Sequence, residues 1–229
     1  MFQKGPRFHK IQVFGAFNLF NYPEFKSDFV NYGAGFPMEQ GGYGPRKNLG
    51  NIYHTSAVYV DKYKDLNCFI AGGWSRTDPN ENGMFNSMGM TGEIIPNTDT
   101  ENGYSIYAGI RYDLDRCGLK LGAEYNHGSQ YWVSFSPDHD DIYMSKLATR
   151  GNVYELCLIY DLPTGEAISK YDKTFVRLGW QHYDYEYSGY FDWNMRPLDL
   201  GSEQALLRMM GQDPVERADQ VYMTFEVYF

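Results

Sequence analysis

Apolar and polar side chains alternate with a period of two along most of this chain. That period is typical of β-strands with one apolar face, whereas amphipathic helices repeat about every 3.6 residues. Within the stretch 104–113, for example, Ile106 and Ile110 share one face while Arg111 lies on the other. The pattern predicts an all-β protein with eight antiparallel strands. The segments that show it are 10–20, 53–61, 66–75, 104–113, 119–127, 154–161, 174–183 and 220–229.

The connections between these segments alternate in length. Long connections cover 21–52, 76–103, 128–152 and 184–219, and shorter ones separate them at 62–65, 114–118 and 162–173. Outer-membrane barrels have short periplasmic turns and long outer loops, and their even strand number leaves both chain ends on the periplasmic side. The sequence therefore predicts an antiparallel transmembrane β-barrel, with eight strands visible and alternating long outer loops and short periplasmic turns.

The two faces of the predicted strands suit a bilayer. The longest nearly apolar run, 68–74, is far shorter than the roughly 20 residues of a membrane-spanning helix. Closed barrels are the other structures that pair every backbone group in lipid. We expect the charged residues of the polar faces to line the lumen in a paired network, because unpaired buried charges are costly. These residues are Arg111, Lys120, Glu124, Glu155, Arg177 and Glu226.

Aromatic residues lie near the ends of the apolar faces, where amphipathic rings anchor at the two membrane interfaces. A soluble barrel or sandwich with these faces as its core has the same period-two pattern. The alternating loop lengths favour the membrane barrel over that alternative. The predicted interface residues are Tyr104, Tyr112, Tyr125, Tyr154, Tyr160 and Trp180.

Composition narrows the partners. The 229 residues include 20 Lys and Arg against 29 Asp and Glu, a net charge of −9, which argues against a nucleic-acid partner. Cys68, Cys117 and Cys157 are odd in number and lack a CxxC spacing, so no disulfide framework, metal site or cofactor is expected. No linker-like shift in composition interrupts residues 1–229, and a single domain is predicted.

The last predicted strand ends on an aromatic residue. Val221, Met223, Phe225, Val227 and Phe229 share one face, and this pattern is similar to the signal read by the outer-membrane assembly machinery. Outer-membrane lipid and that machinery are thus the predicted partners, and the cell outer membrane is the predicted location. The residues after Met1 lack the pattern of a secretory signal, so the protein is either not exported or not the whole precursor.

Three stretches carry a family resemblance: GAEYNHGSQYWVSFSP (122–137), SKLATRGNVYE (145–155) and FVRLGWQHYDYEYSG (175–189). Over about 122–189 the chain resembles the C-terminal part of an uncharacterised family of Gram-negative outer-membrane β-barrel proteins, catalogued only as a domain of unknown function. The resemblance implies a barrel in the outer membrane with an undetermined transport role. Members of that family are usually longer, with a signal peptide and further strands upstream.

The strand number decides the expected function. Eight strands that close alone leave a lumen filled by side chains, which favours a structural or binding role. Eight strands at the end of a barrel of about 14 to 18 strands favour passive diffusion of small hydrophilic solutes. We expect the second, a porin-like channel rather than an enzyme, with homo-oligomers as a further way to widen the pore. Acidic residues outnumber basic ones in most long connections, which favours cations.

Three local features have competing interpretations. The loop 136–141 (SPDHDD) could bind calcium, but its spacing fits no EF-hand, and a solvated acidic loop is favoured. His139 and Asp140, with His182 and Asp184, could form a hydrolase at the barrel rim, but no GxSxG motif accompanies them. The segment 202–210 predicts a short helix that either folds into the lumen or packs over its mouth.

Overall fold

A computed structural model of the chain describes residues 7–21, 25–31, 37–43, 46–89, 93–114, 116–135, 145–162, 173–209, 211 and 213–228. Numbered in chain order, eight strands form one sheet: β1 (Arg7–Phe20), β4 (Asn48–Tyr63), β5 (Leu66–Pro79), β8 (Asn102–Leu114), β9 (Leu119–Gly128), β10 (Gly151–Leu162), β11 (Lys173–Tyr185) and β12 (Arg217–Tyr228). The remaining elements are the paired strands β2 (Phe25–Asn31) and β3 (Pro37–Tyr43), the paired strands β6 (Ser87–Met88) and β7 (Ile94–Ile95), and helix α1 (Gln204–Met209).

Each strand of the large sheet pairs antiparallel with the next one along the chain, in the order β1-β4-β5-β8-β9-β10-β11-β12. All eight segments predicted from the period-two pattern are strands of this sheet, so the all-β, antiparallel prediction is confirmed. The β1–β4 pairing has two register shifts, both beyond Ala16 and close to Asn18, whose φ is 55°. Asparagine tolerates this left-handed conformation better than most residues.

The sheet is open. Among the described residues, β1 pairs only with β4 and β12 pairs only with β11. These eight strands therefore do not form the predicted closed barrel by themselves, because closure needs hydrogen bonds between the first and last strands. Two strand edges with unpaired backbone groups result.

The connections alternate as the sequence predicts. Only residues 64–65 join β4 to β5, whereas 80–101 join β5 to β8 and 186–216 join β11 to β12. Because neighbouring strands are antiparallel, successive connections leave the sheet at opposite ends of the strands. All four long connections therefore emerge at the same end of the sheet.

The main buried apolar cluster lies at that end of the sheet. Its buried members come from the ends of sheet strands and from the long connections. They contact partly buried rings such as Phe135 and Trp193. A second cluster joins Leu207 of α1 to Leu198 and Leu200. No helix in the described part of the chain is long and apolar enough to cross a membrane. The main cluster consists of Leu49, Ile52, Met84, Phe85 and Val133.

Candidate functional site

The six charged residues predicted to line a lumen all lie on one side of the sheet, which we call the polar face. Residues directly opposite each other in an antiparallel pair project to the same side, as do residues two apart in one strand. Glu124 is opposite Glu155, Arg111 is opposite Gly122, and Ile159 is opposite both Lys120 and Arg177. Glu226 is opposite Phe175, two residues from Arg177 along β11. The opposite side of the sheet is the apolar face.

Glu155 is the centre of a hydrogen-bonded network on the polar face. Its side chain is about 1 % exposed, although it is a carboxylate. Four donors surround the two carboxylate oxygens, which satisfies the hydrogen-bonding capacity of the buried group. The donors are Lys146 Nζ at 2.7 Å, Gln181 Nε2 at 3.0 Å, Arg177 Nη2 and the Tyr222 hydroxyl.

Lys146 connects this network to Glu124. Its Nζ donates to Glu124 Oε2 at 2.6 Å, and the Tyr107 hydroxyl donates to the same oxygen. Burial by itself lowers the pKa of Lys146, but the Glu124 and Glu155 carboxylates outweigh burial and raise that pKa. Lys146 is therefore a charged ammonium that neutralises part of the two acids.

Two of the other predicted lumen residues, Arg111 and Lys120, form separate pairs. Arg111 Nε lies 2.8 Å from Asp113 Oδ1, and Lys120 Nζ lies 2.7 Å from Asp161 Oδ1. Each pair links positions on the polar face, near the end of the sheet at which the short connections emerge. Arg111 and Lys120 are thus paired separately, whereas Glu124, Glu155 and Arg177 share one network.

Sequence reasoning missed Lys146, Tyr107, Gln181 and Tyr222 as members of this network. The alternation of apolar residues places the last three on the polar face, so strand parity was a usable signal for them. Lys146 lies in a long connection, where no periodic pattern indicates which part of the sheet it contacts.

The connection 129–150 lies against the polar face over its described residues, 129–135 and 145–150. Trp132 packs over Gly73 of β5, and a Cβ atom at that glycine would lie 2.3 Å from the indole. The Trp132 Nε1 donates to Leu147 O at 2.8 Å, and Val133 N donates to Ser75 Oγ at 3.3 Å. The segment 202–210, predicted to contain a short helix, forms α1, and this helix packs through Leu207 against Leu198 and Leu200.

Arg150 joins several long connections. It is 1 % exposed, and its guanidinium donates to Trp132 O at 3.1 Å, Asp192 O at 2.5 Å and Ser188 O at 3.5 Å. Its Cζ also lies 5.4 Å from the centre of the Phe85 ring. Burial lowers the pKa of Arg150 to about 10, which leaves it charged at neutral pH.

The candidates for rim chemistry lie elsewhere. His182 and Asp184 are on the apolar side of β11, where His182 Nδ1 is 3.0 Å from Asp219 Oδ1 and Asp184 contacts Arg217. His139, Asp140 and the rest of the loop 136–141 lie outside the described residues. Within the described ranges, no group of three His, Cys, Asp or Glu side chains is placed to hold a metal ion.

The predicted assembly signal lies on the apolar face of β12. Val221, Met223 and Phe225 are 73 %, 74 % and 63 % exposed, and Val227 shares their side of the strand. Phe229 lies outside the described residues. This edge strand therefore presents a continuous apolar surface.

Comparison with known proteins identifies a family and no function. A family model described as a protein of unknown function (DUF3373) matches residues 1–229. The match extends the resemblance seen at 122–189 to the whole sequence and confirms membership of an uncharacterised family. Neither the curated proteins nor the solved structures contain a match to the chain.

Proposed function

The chain belongs to the DUF3373 family, and from its structure we propose that it forms part of the wall of an outer-membrane β-barrel that passes small hydrophilic solutes by diffusion. One observation carries this proposal. The eight-stranded sheet exposes a continuous apolar face, while its other face holds hydrogen-bonded charges. That arrangement is the one expected of a barrel with lipid outside and water inside.

The apolar face is unusually exposed for a protein in water. Ile11, Val13, Val221 and Met223 are each more than 70 % exposed, and similar residues continue on the strands between them. Soluble monomers rarely expose apolar patches larger than about 300–600 Å². Contact with lipid chains removes that cost. The intervening exposed residues include Ile70, Ile106, Ile110, Leu121, Leu156, Leu158 and Leu178.

Aromatic residues flank this apolar surface at both ends, which supports an interfacial placement. In β8 the flanking residues are Tyr104 and Tyr112, which are 52 % and 47 % exposed. They are separated by about 26 Å along the strand at roughly 3.3 Å per residue. Strand tilt shortens this to about 20 Å along the membrane normal, close to the roughly 25 Å apolar band of outer-membrane barrels. In β10 the corresponding residues are Tyr154 and Tyr160.

The open edges of β1 and β12 favour a barrel wider than eight strands. Lipid cannot satisfy the unpaired backbone groups of a strand edge, so a sheet in the bilayer must close. We propose that further strands, from the same chain or from other copies, complete the circle and leave an aqueous lumen. The acidic excess of most long connections supports a preference for cations over anions.

Conductance across a planar lipid bilayer tests this proposal. The chain is refolded in detergent, checked for β-structure and heat-modifiable migration, and added to the bilayer under a salt gradient. Discrete stable current steps with a cation-selective reversal potential are expected. A well-folded protein that gives no steps contradicts the channel, and a monomer that stays soluble without detergent contradicts membrane insertion.

A further inference from the structure

A cavity of about 530 Å³ lies between the polar face and the described part of the connection 129–150. Strands β1, β4, β5 and β8 line one side of it, and Trp132, Ser134, Phe135 and Leu147 line the other. Its volume falls within the range of about 300–1,000 Å³ that is typical of small-molecule sites.

Aromatic rings surround this cavity. The rings of Phe14 and His54 stack at 4.6 Å with an interplanar angle of 21°. The His54 ring also lies 5.0 Å from Trp132 and 6.2 Å from Phe135, and Tyr107 adds a further ring to the lining. Flat rings of this kind stack against other rings and against the C–H faces of sugars.

Apart from these rings and from Ala71, Leu147 and two glycines, the lining is polar but uncharged. Gln12 contributes an amide, and Ser56 and Ser105 contribute hydroxyl groups. None of the described residues that line the cavity is Asp, Glu, Lys or Arg. A charged ligand would lose hydration here without gaining an opposite charge in the lining, so an uncharged ligand is favoured.

His54 shows an unmet need for a hydrogen-bond partner. It is 4 % exposed, and neither Nδ1 nor Nε2 has a partner among the described residues. A neutral imidazole carries one donor and one acceptor, and burying both unpaired is unfavourable. A hydroxyl group can serve either nitrogen, because it is both a donor and an acceptor.

The backbone of the lining is also strained. Phe135 has a φ of 49°, a left-handed conformation that is costly for a residue with a bulky side chain. Such strain persists only where the surroundings hold it, and it clusters at ligand sites. Here it places the Phe135 ring beside Phe14 and His54.

We propose that this cavity binds an uncharged sugar, whose hydroxyl groups bond to His54, Gln12 and the serines while its ring stacks on Trp132 or Phe14. The site lies on the face that we assign to the lumen, but binding does not require conduction. The experiment below therefore tests it independently of the channel.

Isothermal titration of the refolded protein with glucose and with maltose tests the site. The detergent must have a non-sugar headgroup, such as an amine oxide, because alkyl glucosides and maltosides would compete. Saturable 1:1 binding of at least one sugar is expected, with a Kd of about 0.1–10 mM. Glucuronate and glucosamine keep the sugar ring but carry opposite charges, and they are expected to bind at least about 10-fold more weakly.

Three variants locate the binding. His54→Phe keeps a ring for stacking but removes both nitrogens, and it is expected to weaken binding about 3- to 10-fold. Ala71→Leu places bulk in the cavity and Trp132→Leu removes a stacking surface, and each is expected to weaken binding about 10-fold or more. His182→Phe, on the apolar side of β11, is the matched control and should leave the Kd unchanged. Circular dichroism and heat-modifiable migration confirm that each variant folds.

Several results would overturn the proposal. The first is the absence of saturable binding of both glucose and maltose to the folded wild-type protein, whether or not an aromatic probe such as phenol binds. Equal sugar affinity in wild type, His54→Phe and Ala71→Leu would place the sugar elsewhere and also reject this site.

Discussion

Glu124 and Glu155 face each other directly across the β9–β10 pair, and a single ammonium group holds them together. The Nζ of Lys146 lies 2.6 Å from the first carboxylate and 2.7 Å from the second. Like charges placed opposite each other destabilise a sheet. The two facing carboxylates therefore require a cation. Lys146 supplies it, and this contact attaches the long connection 129–150 to the sheet.

Lys146→Met is expected to lower the free energy of unfolding by about 2–4 kcal/mol, because it leaves two facing carboxylates without their shared cation. Urea titration of the detergent-refolded protein, followed by circular dichroism, measures this change. Adding Glu124→Gln to Lys146→Met should restore part of the loss. A single variant as stable as wild type would show that Lys146 contributes nothing to the network.

Leu156→Arg is expected to reduce the stability of the bilayer-folded protein by about 2–4 kcal/mol, because it places a charge in the middle of the apolar face. Leu156 is 54 % exposed, so the same change in a soluble protein would have little effect. Tyr104→Arg, at the end of that face, should cost no more than about 1 kcal/mol. Equal and small effects of both changes in lipid vesicles would argue against membrane insertion.

Gly179→Ala is expected to destabilise the protein by about 1–3 kcal/mol, because the new methyl group collides with Tyr222. The ideal Cβ position lies 2.2 Å from the Tyr222 ring, whose hydroxyl donates to Glu155. Gly72→Ala is the matched control, since its nearest neighbour, Ser105 O, is 3.8 Å away. Thermal unfolding of the two variants should separate them clearly, and similar midpoints would contradict this packing.

Arg150→Lys is expected to loosen the long connections even though the charge is kept. An ammonium cannot span the three carbonyl oxygens that the planar guanidinium reaches. Limited proteolysis should cut the 186–216 connection faster in this variant than in wild type. Arg208→Lys changes a side chain that is 64 % exposed and serves as the control. Unchanged proteolysis of Arg150→Lys would show that Arg150 does not hold the connections.

The Arg196–Glu203 pair is expected to weaken in acid. Hydrogen bonds from Arg196 lower the pKa of Glu203 below its ordinary value of 4.5. The pair therefore contributes its stability above about pH 4.5, and the contribution is lost as the pH falls through the lower folded-state pKa. Because both side chains are about one-third exposed, less than about 1 kcal/mol is involved.

Carbon-13 NMR of the Glu203 carboxyl group measures this shift. Arg196→Gln should raise the titration midpoint of Glu203, and Arg208→Gln should not. A midpoint that stays the same in Arg196→Gln would contradict the assigned cause.

The sequence predicted the strands of the sheet and the face to which their residues belong. Ile106, Ile110 and Arg111 were assigned correctly to faces because a strand projects successive side chains to opposite sides whatever its neighbours are. The alternating connection lengths were also visible in the sequence. Together with antiparallel pairing, they place all the long connections at one end of the sheet.

Only the tertiary structure decided which charges meet and where the connections go. Lys146, Trp132 and Arg150 belong to or border a connection without periodicity, and their contacts depend on distant strands and loops. The placement of Trp132 over Gly73, and hence the cavity beside His54, arises from packing between residues far apart in the chain. The open edges of β1 and β12 have the same origin, because alternation determines the faces of a strand while closure depends on the tilt and register of the whole sheet.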